Sequence, residues 1–325
     1  MKVRPYTPDD AAAWDAFCGR AAQATFLHRR RFLAYHGDRF RDRSVVVEDG
    51  RDWLAALPAA VQPDDPTTVC SHPGITYGGL LCAPSLYGGR LIDALAQIVD
   101  YYGTLGFRRV VYKAVPHIYH RVAMQDDLYA LLRLGAARFR CDLTATIALE
   151  QRGAVSSRRR RGIKKAARAG VTIDEGPRHA AAIWCVLEER LRHRHGVKPV
   201  HTLDEIEQLR QWFPDEITFV SALLSGEVVG AVVLFDCGPV MHAQYITSSE
   251  AGNAAGALDL LFEYVIDRAE SAGKRYFDFG NSNENQGRVL NQSLYQFKRE
   301  FGAGGVVHEF YEVATTAQGG AVKCA

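Results

Sequence analysis

Phe277–Tyr311, FDFGNSNENQGRVLNQSLYQFKREFGAGGVVHEFY, is the stretch that decides the reading of this chain. It follows Tyr276 and opens as a short apolar strand, Tyr276 to Phe279. It then turns polar from Asn281 to Asn285, where Asn281, Asn283, Glu284 and Asn285 crowd together. A helical run with a single lysine, Lys298, comes next, and a second strand, Val306 to Tyr311, closes the segment. Core packing accounts for the strands and for one face of the helix. It does not account for a polar turn at a strand's carboxyl end, the place where open α/β sheets put ligands. Asp278 alternates with Phe277 and Phe279, so it is expected to face away from them.

The segment has a partial counterpart upstream. RLIDALAQIVDYYGTLGFRRVVY (90–112) and ALDLLFEYVIDRAESAGKRYFDF (257–279) both run amphipathic helix, glycine, basic pair, apolar strand. Leu91, Leu95, Ile98 and Val99 in one match Leu258, Leu261, Phe262 and Val265 in the other at helical spacing. Gly106 and Gly273, 167 residues apart, suit helix C-termini. Ahead of each helix lies a hairpin pattern, Val45–Val47 turning at Asp49–Gly50, and Ile217–Leu224 turning at Ser225–Gly226. Hairpin, helix, strand, twice over, predicts a tandem duplication. The boundary is expected after the apolar run Leu143–Leu149, giving domains 1–150 and 151–325. Val111–Tyr119, the first half's counterpart of the opening segment, has neither the asparagine-rich turn nor the lysine helix. The chemistry is therefore expected in the C-terminal half.

Composition narrows the class. The 325 residues are 47% hydrophobic and 23% charged, with a net charge of +2, so bulk charge implies neither nucleic acid nor membrane. The cysteines 18, 70, 82, 141, 185, 237 and 324 are odd in number and lack C-x-x-C spacing. Reduced thiols in a cytoplasmic protein are expected, without a disulfide framework. His193-Arg194-His195 has no carboxylate or cysteine at ligand spacing, so no metal is expected. There is no signal-peptide pattern and no apolar run long enough to span a bilayer. Past Leu149, SSRRRRGIKKAARAGVTI reads as a helix capped by Ser156 or Ser157 and ended by Gly170. Its basic residues make either a solvated face or a face for a phosphate-rich ligand.

Taken together, several segments resemble the FemAB-like branch of the GNAT acyltransferase superfamily. They are TFLH (25–28), YHGDRF (35–40), SHPGITYGG (71–79), RGIKKA (161–166) with Gly170-Val171, and Asn291, Phe297-Lys298 and Phe301-Gly302-Ala303. The resemblance implies an α/β (α+β) chain of two tandem GNAT-like domains, with mixed, splayed sheets flanked by helices. It implies acyl transfer to an amine or hydroxyl. No tightly bound cofactor is implied, and the co-substrate is acyl-CoA or aminoacyl-tRNA.

The GNAT pyrophosphate loop, Arg/Gln-x-x-Gly-x-Gly/Ala, is met here only as Ser249-x-x-Gly252-x-Ala254, with Glu250 inside it and Asn253 beside it; the first half has Ser85-x-x-Gly88-x-Arg90. Fem-type peptidoglycan transferases, which use aminoacyl-tRNA, carry a late Phe-Lys pair that Phe297-Lys298 matches. The resemblance thus leans to aminoacyl transfer, with an acyl-CoA-dependent N-acetyltransferase close behind. On this reading Lys298 stabilises the oxyanion or holds the donor's phosphate, and Asp278, Glu284 or His242 takes the amine's proton. Tyr245 positions the donor or protonates the leaving group. Phe297, Ser249, Gly252, Asn253, Asn281 and Asn291 line the donor. His28, Arg30, Arg31 and His36 form a basic cluster on a helical pattern, and with His72, Tyr77 and Gly78 they match the region that binds the acceptor, a small-molecule or cell-envelope precursor. A non-catalytic protein binding a phosphosugar or nucleotide is the reading of another class.

Overall fold

The computed structural model describes residues 1–315. Cys324 and the side chains of Arg194 and His195 lie outside the described residues. The chain divides into two compact units. The first is Met1–Asp142 with Asn285–Arg288 and the described part of Val307–Ala325; the second is Leu143–Glu284 with Val289–Val306.

In the first unit Val45–Asp49 and Asp52–Leu57 form the expected hairpin around Gly50, whose φ of 64° is the left-handed turn conformation. Lys2–Pro5 and Leu81–Cys82 extend that sheet on either side. Asp65–Cys70 lies parallel to Arg109–Lys113, which in turn pairs antiparallel with Phe310–Ala314. The helix Gly88–Thr104 turns Leu91, Leu95, Ile98, Val99 and Tyr102 into a core with Val45, Val47, Leu54 and Leu57.

The second unit is built on a mixed sheet. Its strands run in the order Leu143–Ala148 (the second half of Ala137–Ala148), Tyr276–Asn281, Val240–Ser248, Glu227–Asp236, Ile217–Leu224 and Thr172–Glu175. Strand alternation sends side chains to opposite faces, where different helices cover them. Val220 and Ala222 pack with Leu261, Phe262, Val265 and Ile266 of the helix Ala257–Ser271. Phe219 meets Trp184 of the helix Ala180–His195, ring centroids 6.3 Å apart. The basic stretch is a helix, Ser157–Arg168, capped by Ser156 Oγ accepting from the Arg159 N–H at 3.2 Å. Gly170, φ 80°, follows its last turn.

Two local expectations are corrected. Asn281–Asn285 is not an open turn. The strand continues to Asn281, and Asn283–Glu284 pairs with Val289–Leu290, so the turn falls at Asn285, Gln286 and Gly287, all with positive φ. The basic cluster 28–36 is not one helix face: only Arg30–Ala34 is α-helical, and His28 and His36 are buried. A histidine whose ring nitrogens find main-chain partners can join a core, which a charge pattern does not reveal.

Candidate active site

Asp278 sits mid-strand in Tyr276–Asn281, between the strands that carry Thr146 and His242. Phe277 and Phe279 pack on Phe262, so the carboxylate points to the other face, and it is fully buried. A buried carboxylate needs hydrogen-bond donors. Thr144 Oγ1 donates in a short bond, Thr146 Oγ1 at 2.9 Å, and His242 Nδ1 stands 2.9 Å from Oδ2. With the proton on Nδ1 toward Asp278, Nε2 of His242 is the ring's acceptor nitrogen.

The backbone around this pair is irregular. Parallel pairing between Val240–Ser248 and Tyr276–Asn281 runs only from Val240↔Tyr276 to His242↔Asp278. On one side the register to the next strand skips from Asp278↔Thr146 to Asn281↔Thr144, with Gly280 at φ 73°. On the other it skips from Leu234↔Ala243 to Val233↔Tyr245, leaving Gln244 as the extra residue. Such bulges re-aim side chains and end strand pairing, and they gather next to active sites.

Lys298 enters from the helix Gln292–Arg299, and it is 3% exposed. Its Nζ donates to the carbonyls of Gly280 at 2.9 Å and Asn281 at 2.6 Å. Burial lowers its pKa from the usual 10.5 to about 8, against an opposing pull from Asp278. Lysine, histidine and aspartate thus converge where the pairing of two strands stops.

The other residues expected in the second unit are placed as follows. The Tyr245 hydroxyl lies 2.5 Å from His201 Nδ1 and accepts from the His201 N–H at 3.2 Å; burial raises its pKa to about 12. Ser249 caps the short helix Glu250–Ala255: its Oγ accepts from the Gly252 N–H at 3.1 Å, and its own N–H donates to the Val229 carbonyl at 3.0 Å. The Asn253 N–H donates to the Ser249 carbonyl at 2.9 Å. A Cβ on Gly252 would stand 1.9 Å from the Val229 carbonyl oxygen, so tight packing alone requires glycine there. Glu284 is exposed and accepts from Asn291 Nδ2 at 2.8 Å, while Asn291 Oδ1 caps the Lys298 helix through the Leu294 N–H at 3.0 Å. Phe297 packs on Phe262 and Phe301 under the Arg159 guanidinium. Asn281 meets Lys298 through its main-chain carbonyl.

In the first unit His36, His72, Tyr77 and Gly78 are buried, and Arg31 is exposed. The His36 and His72 rings are 5.1 Å apart, and His72 has a φ of 52°. His28 Nε2 bonds the Gly78 carbonyl at 2.8 Å. A Cβ at Gly78 would stand 2.0 Å from the Ser71 carbonyl oxygen, so this glycine serves a close approach of the chain to itself. Lys113, buried, donates to the carbonyls of His72, Pro73 and Ile75, and burial lowers its pKa.

Thr144, Thr146, Gln244, Gly280, His201 and Lys113 were not among the residues singled out by the sequence. Thr144 and Thr146 had a signal: polar residues two apart in an apolar run face one side of a strand. Gly280, directly after Asp278-Phe279, had another. No local pattern marks the bulge at Gln244 or the meeting of His201 with Tyr245. Among the described residues no cluster of histidine, cysteine, aspartate and glutamate fits a metal ion, and no helix is long and apolar enough to cross a membrane.

Residues 153–299 match the acetyltransferase (GNAT) domain family. The segment that holds His242, Asp278 and Lys298 is therefore a GNAT-type domain, and the protein is an acyltransferase. The fold as a whole is similar to that of FemX, with 12% identity, a TM-score of 0.69 and 98% of each chain covered. It is also similar to the C-terminal domain of a putative lysylphosphatidylglycerol synthetase from Agrobacterium fabrum, with 14% identity, a TM-score of 0.61, and 94% of this chain and 91% of that one covered. A third likeness is to a tandem GNAT protein from the clavulanic acid biosynthesis pathway, with 12% identity, a TM-score of 0.53, and 98% and 99% covered. At these identities the likeness is one of fold. No curated protein matches the sequence.

Proposed function

We propose that the protein transfers an aminoacyl group from aminoacyl-tRNA to an amine or hydroxyl of a small-molecule or cell-envelope precursor. The chemistry belongs to the C-terminal unit, and the residues around His36, His72, Tyr77 and Gly78 in the N-terminal unit recognise the acceptor. The reaction needs a base, a stabiliser for the developing oxyanion, and an acid for the leaving oxygen. His242 Nε2 takes the proton of the attacking amine as the new N–C bond forms. Asp278 holds the Nδ1 proton and stabilises the imidazolium. The ester C–O bond to the ribose then breaks, and the same imidazolium returns the proton to the ribose oxygen. Lys298, anchored on the Gly280 and Asn281 carbonyls, supplies positive charge to the oxyanion, an effect on the order of 3 kcal/mol for a preorganised donor.

The observation that carries the choice of donor is the loop Ser249–Asn253. GNAT domains generally use acyl-CoA, whose pyrophosphate lies on free N–H groups at a helix start. Here the N–H groups of Ser249 and Gly252 are taken by the Val229 carbonyl and the Ser249 hydroxyl, and the Glu250 carboxylate stands in the first turn. The similarity to FemX and to a lysylphosphatidylglycerol synthetase domain supports the same donor class. An acyl-CoA-dependent N-acetyltransferase is the second reading, and the GNAT match over 153–299 favours it. Thermal unfolding with each donor separates the two. Stabilisation by a non-hydrolysable aminoacyl-tRNA analogue and none by acetyl-CoA is expected; the reverse pattern overturns the proposal.

A further inference from the structure

The helix Ser157–Arg168, SRRRRGIKKAAR, has no acidic residue. Its inner side is well accounted for. Arg159 is ion-paired with Asp259 and, at 3.0 Å, with Glu300, and it lies 4.7 Å over the Phe297 ring. Ala166 is buried, and a Cβ on Gly162 would collide with the Asp259 carboxylate, so this helix sits flush on Ala257–Ser271. At about 100° per residue, Arg160, Arg161, Lys164, Lys165 and Arg168 project from the opposite half, and all are exposed. Arg158 pairs with Glu300. Among the described residues no carboxylate lies within ion-pair distance of the other five. Arg160/Lys164, Lys164/Arg168 and Arg161/Lys165 are like charges four apart, each disfavouring the helix by roughly 0.2–0.5 kcal/mol.

We propose that this outward face is a docking surface for the phosphodiester backbone of a double-stranded RNA stem, that of the tRNA donor; the inference rests on the aminoacyl-transfer reading. Unneutralised cations spread along about 12 Å of helix axis fit a row of phosphates. No aromatic residue stands among them to stack unpaired bases, so a duplex backbone fits better than a single strand. The face has no apolar side chain larger than alanine, whereas a helix that lies in a membrane surface buries an apolar side in it. The surface also leads to the reaction centre. Arg158 and Arg159 grip Glu300 at the end of the helix that carries Lys298, and Arg159 covers Phe297 next to it.

The test compares the full chain with the variant Arg161→Gln/Lys164→Gln/Lys165→Gln/Arg168→Gln. All four residues are exposed, and equal unfolding midpoints check the fold. The probe is a fluorescent, non-acylated RNA hairpin with a single-stranded 3′ end, titrated at several salt concentrations beside vesicles containing phosphatidylglycerol. The wild-type chain is expected to bind the hairpin and not the vesicles. The variant's affinity at low salt should fall about 100-fold, and the slope of log affinity against log salt should flatten by about 1 for each phosphate contact removed. Hairpin binding that is equal in the two proteins overturns the proposal, as does binding of vesicles in place of hairpin. Transfer from aminoacyl-tRNA at wild-type KM in the variant overturns the surface and leaves the reaction standing. Hairpin binding lost in the variant, with no transfer by the wild type, removes the reaction and leaves the surface.

Discussion

Replacing Lys298 with methionine keeps most of the side-chain volume and removes the buried charge. Two effects follow, and pH separates them. The Gly280 and Asn281 carbonyls lose their donor, about 1–3 kcal/mol each at any pH. The other effect depends on protonation. The folded-state pKa of Lys298 is about 8 and the usual value is 10.5. Below pH 8 the lysine is charged in both states, and the folded state bears the full cost of burying that charge, about 3 kcal/mol. Between 8 and 10.5 the unfolded chain binds the extra proton, so wild-type stability rises with pH. Lys298→Met has no such proton. Urea unfolding of both proteins at pH 7.5 and pH 10 should therefore show the wild type gaining about 2 kcal/mol on the variant. A difference that stays flat across this window would refute the buried, partnered ammonium on which the site rests.

His242→Ala should slow single-turnover transfer by about 10²–10⁴-fold, the usual range for losing a general base, and Asp278→Asn should slow it through misorientation of the ring; wild-type rates in both would remove the dyad. Gly280→Ala forces a side chain to φ 73°, a strain of about 1–2 kcal/mol, and puts a methyl group 3.4 Å from His242 Cε1. Gly273→Ala, at φ 68° with open space around it, is the matched control. Both should lower the melting temperature, and only Gly280→Ala should slow transfer as well. Arg159→Met leaves Asp259 without its cation, while Glu300 keeps Arg158, and should cost about 1–3 kcal/mol in chemical unfolding; a loss below about 0.5 kcal/mol would contradict the pairing.

What could be read from the sequence was what depends on neighbours along the chain. The helical spacing of Leu261, Phe262 and Val265, the glycines closing both helices and the Ser156 cap follow local rules, and they reappear in the structure. So does the side to which Asp278 points, since alternation with Phe277 and Phe279 fixes it. The partners of those residues come from afar. Thr144 and His242 reach Asp278 across strand pairings, and His201 reaches Tyr245 over 44 positions. His28 and His36 read as part of a basic helical cluster because their type permits charge; the structure buries both, and burial drives the His28 pKa down to about 4. Lys298 was legible as a lone lysine among aromatic residues, but its main-chain carbonyl partners depend on the bulge at Gly280.

Aminoacyl transfer at the His242–Asp278–Lys298 site is the proposal on which the other roles depend. Its most direct test is a single-turnover assay that follows labelled amino acid from aminoacyl-tRNA to an amine acceptor, run beside labelled acetyl-CoA, with wild-type protein and His242→Ala. Label should leave the tRNA, His242→Ala should slow that transfer by at least about 100-fold, and acetyl-CoA should deliver none. Transfer from acetyl-CoA alone, or transfer from tRNA that His242→Ala leaves unchanged, would contradict it.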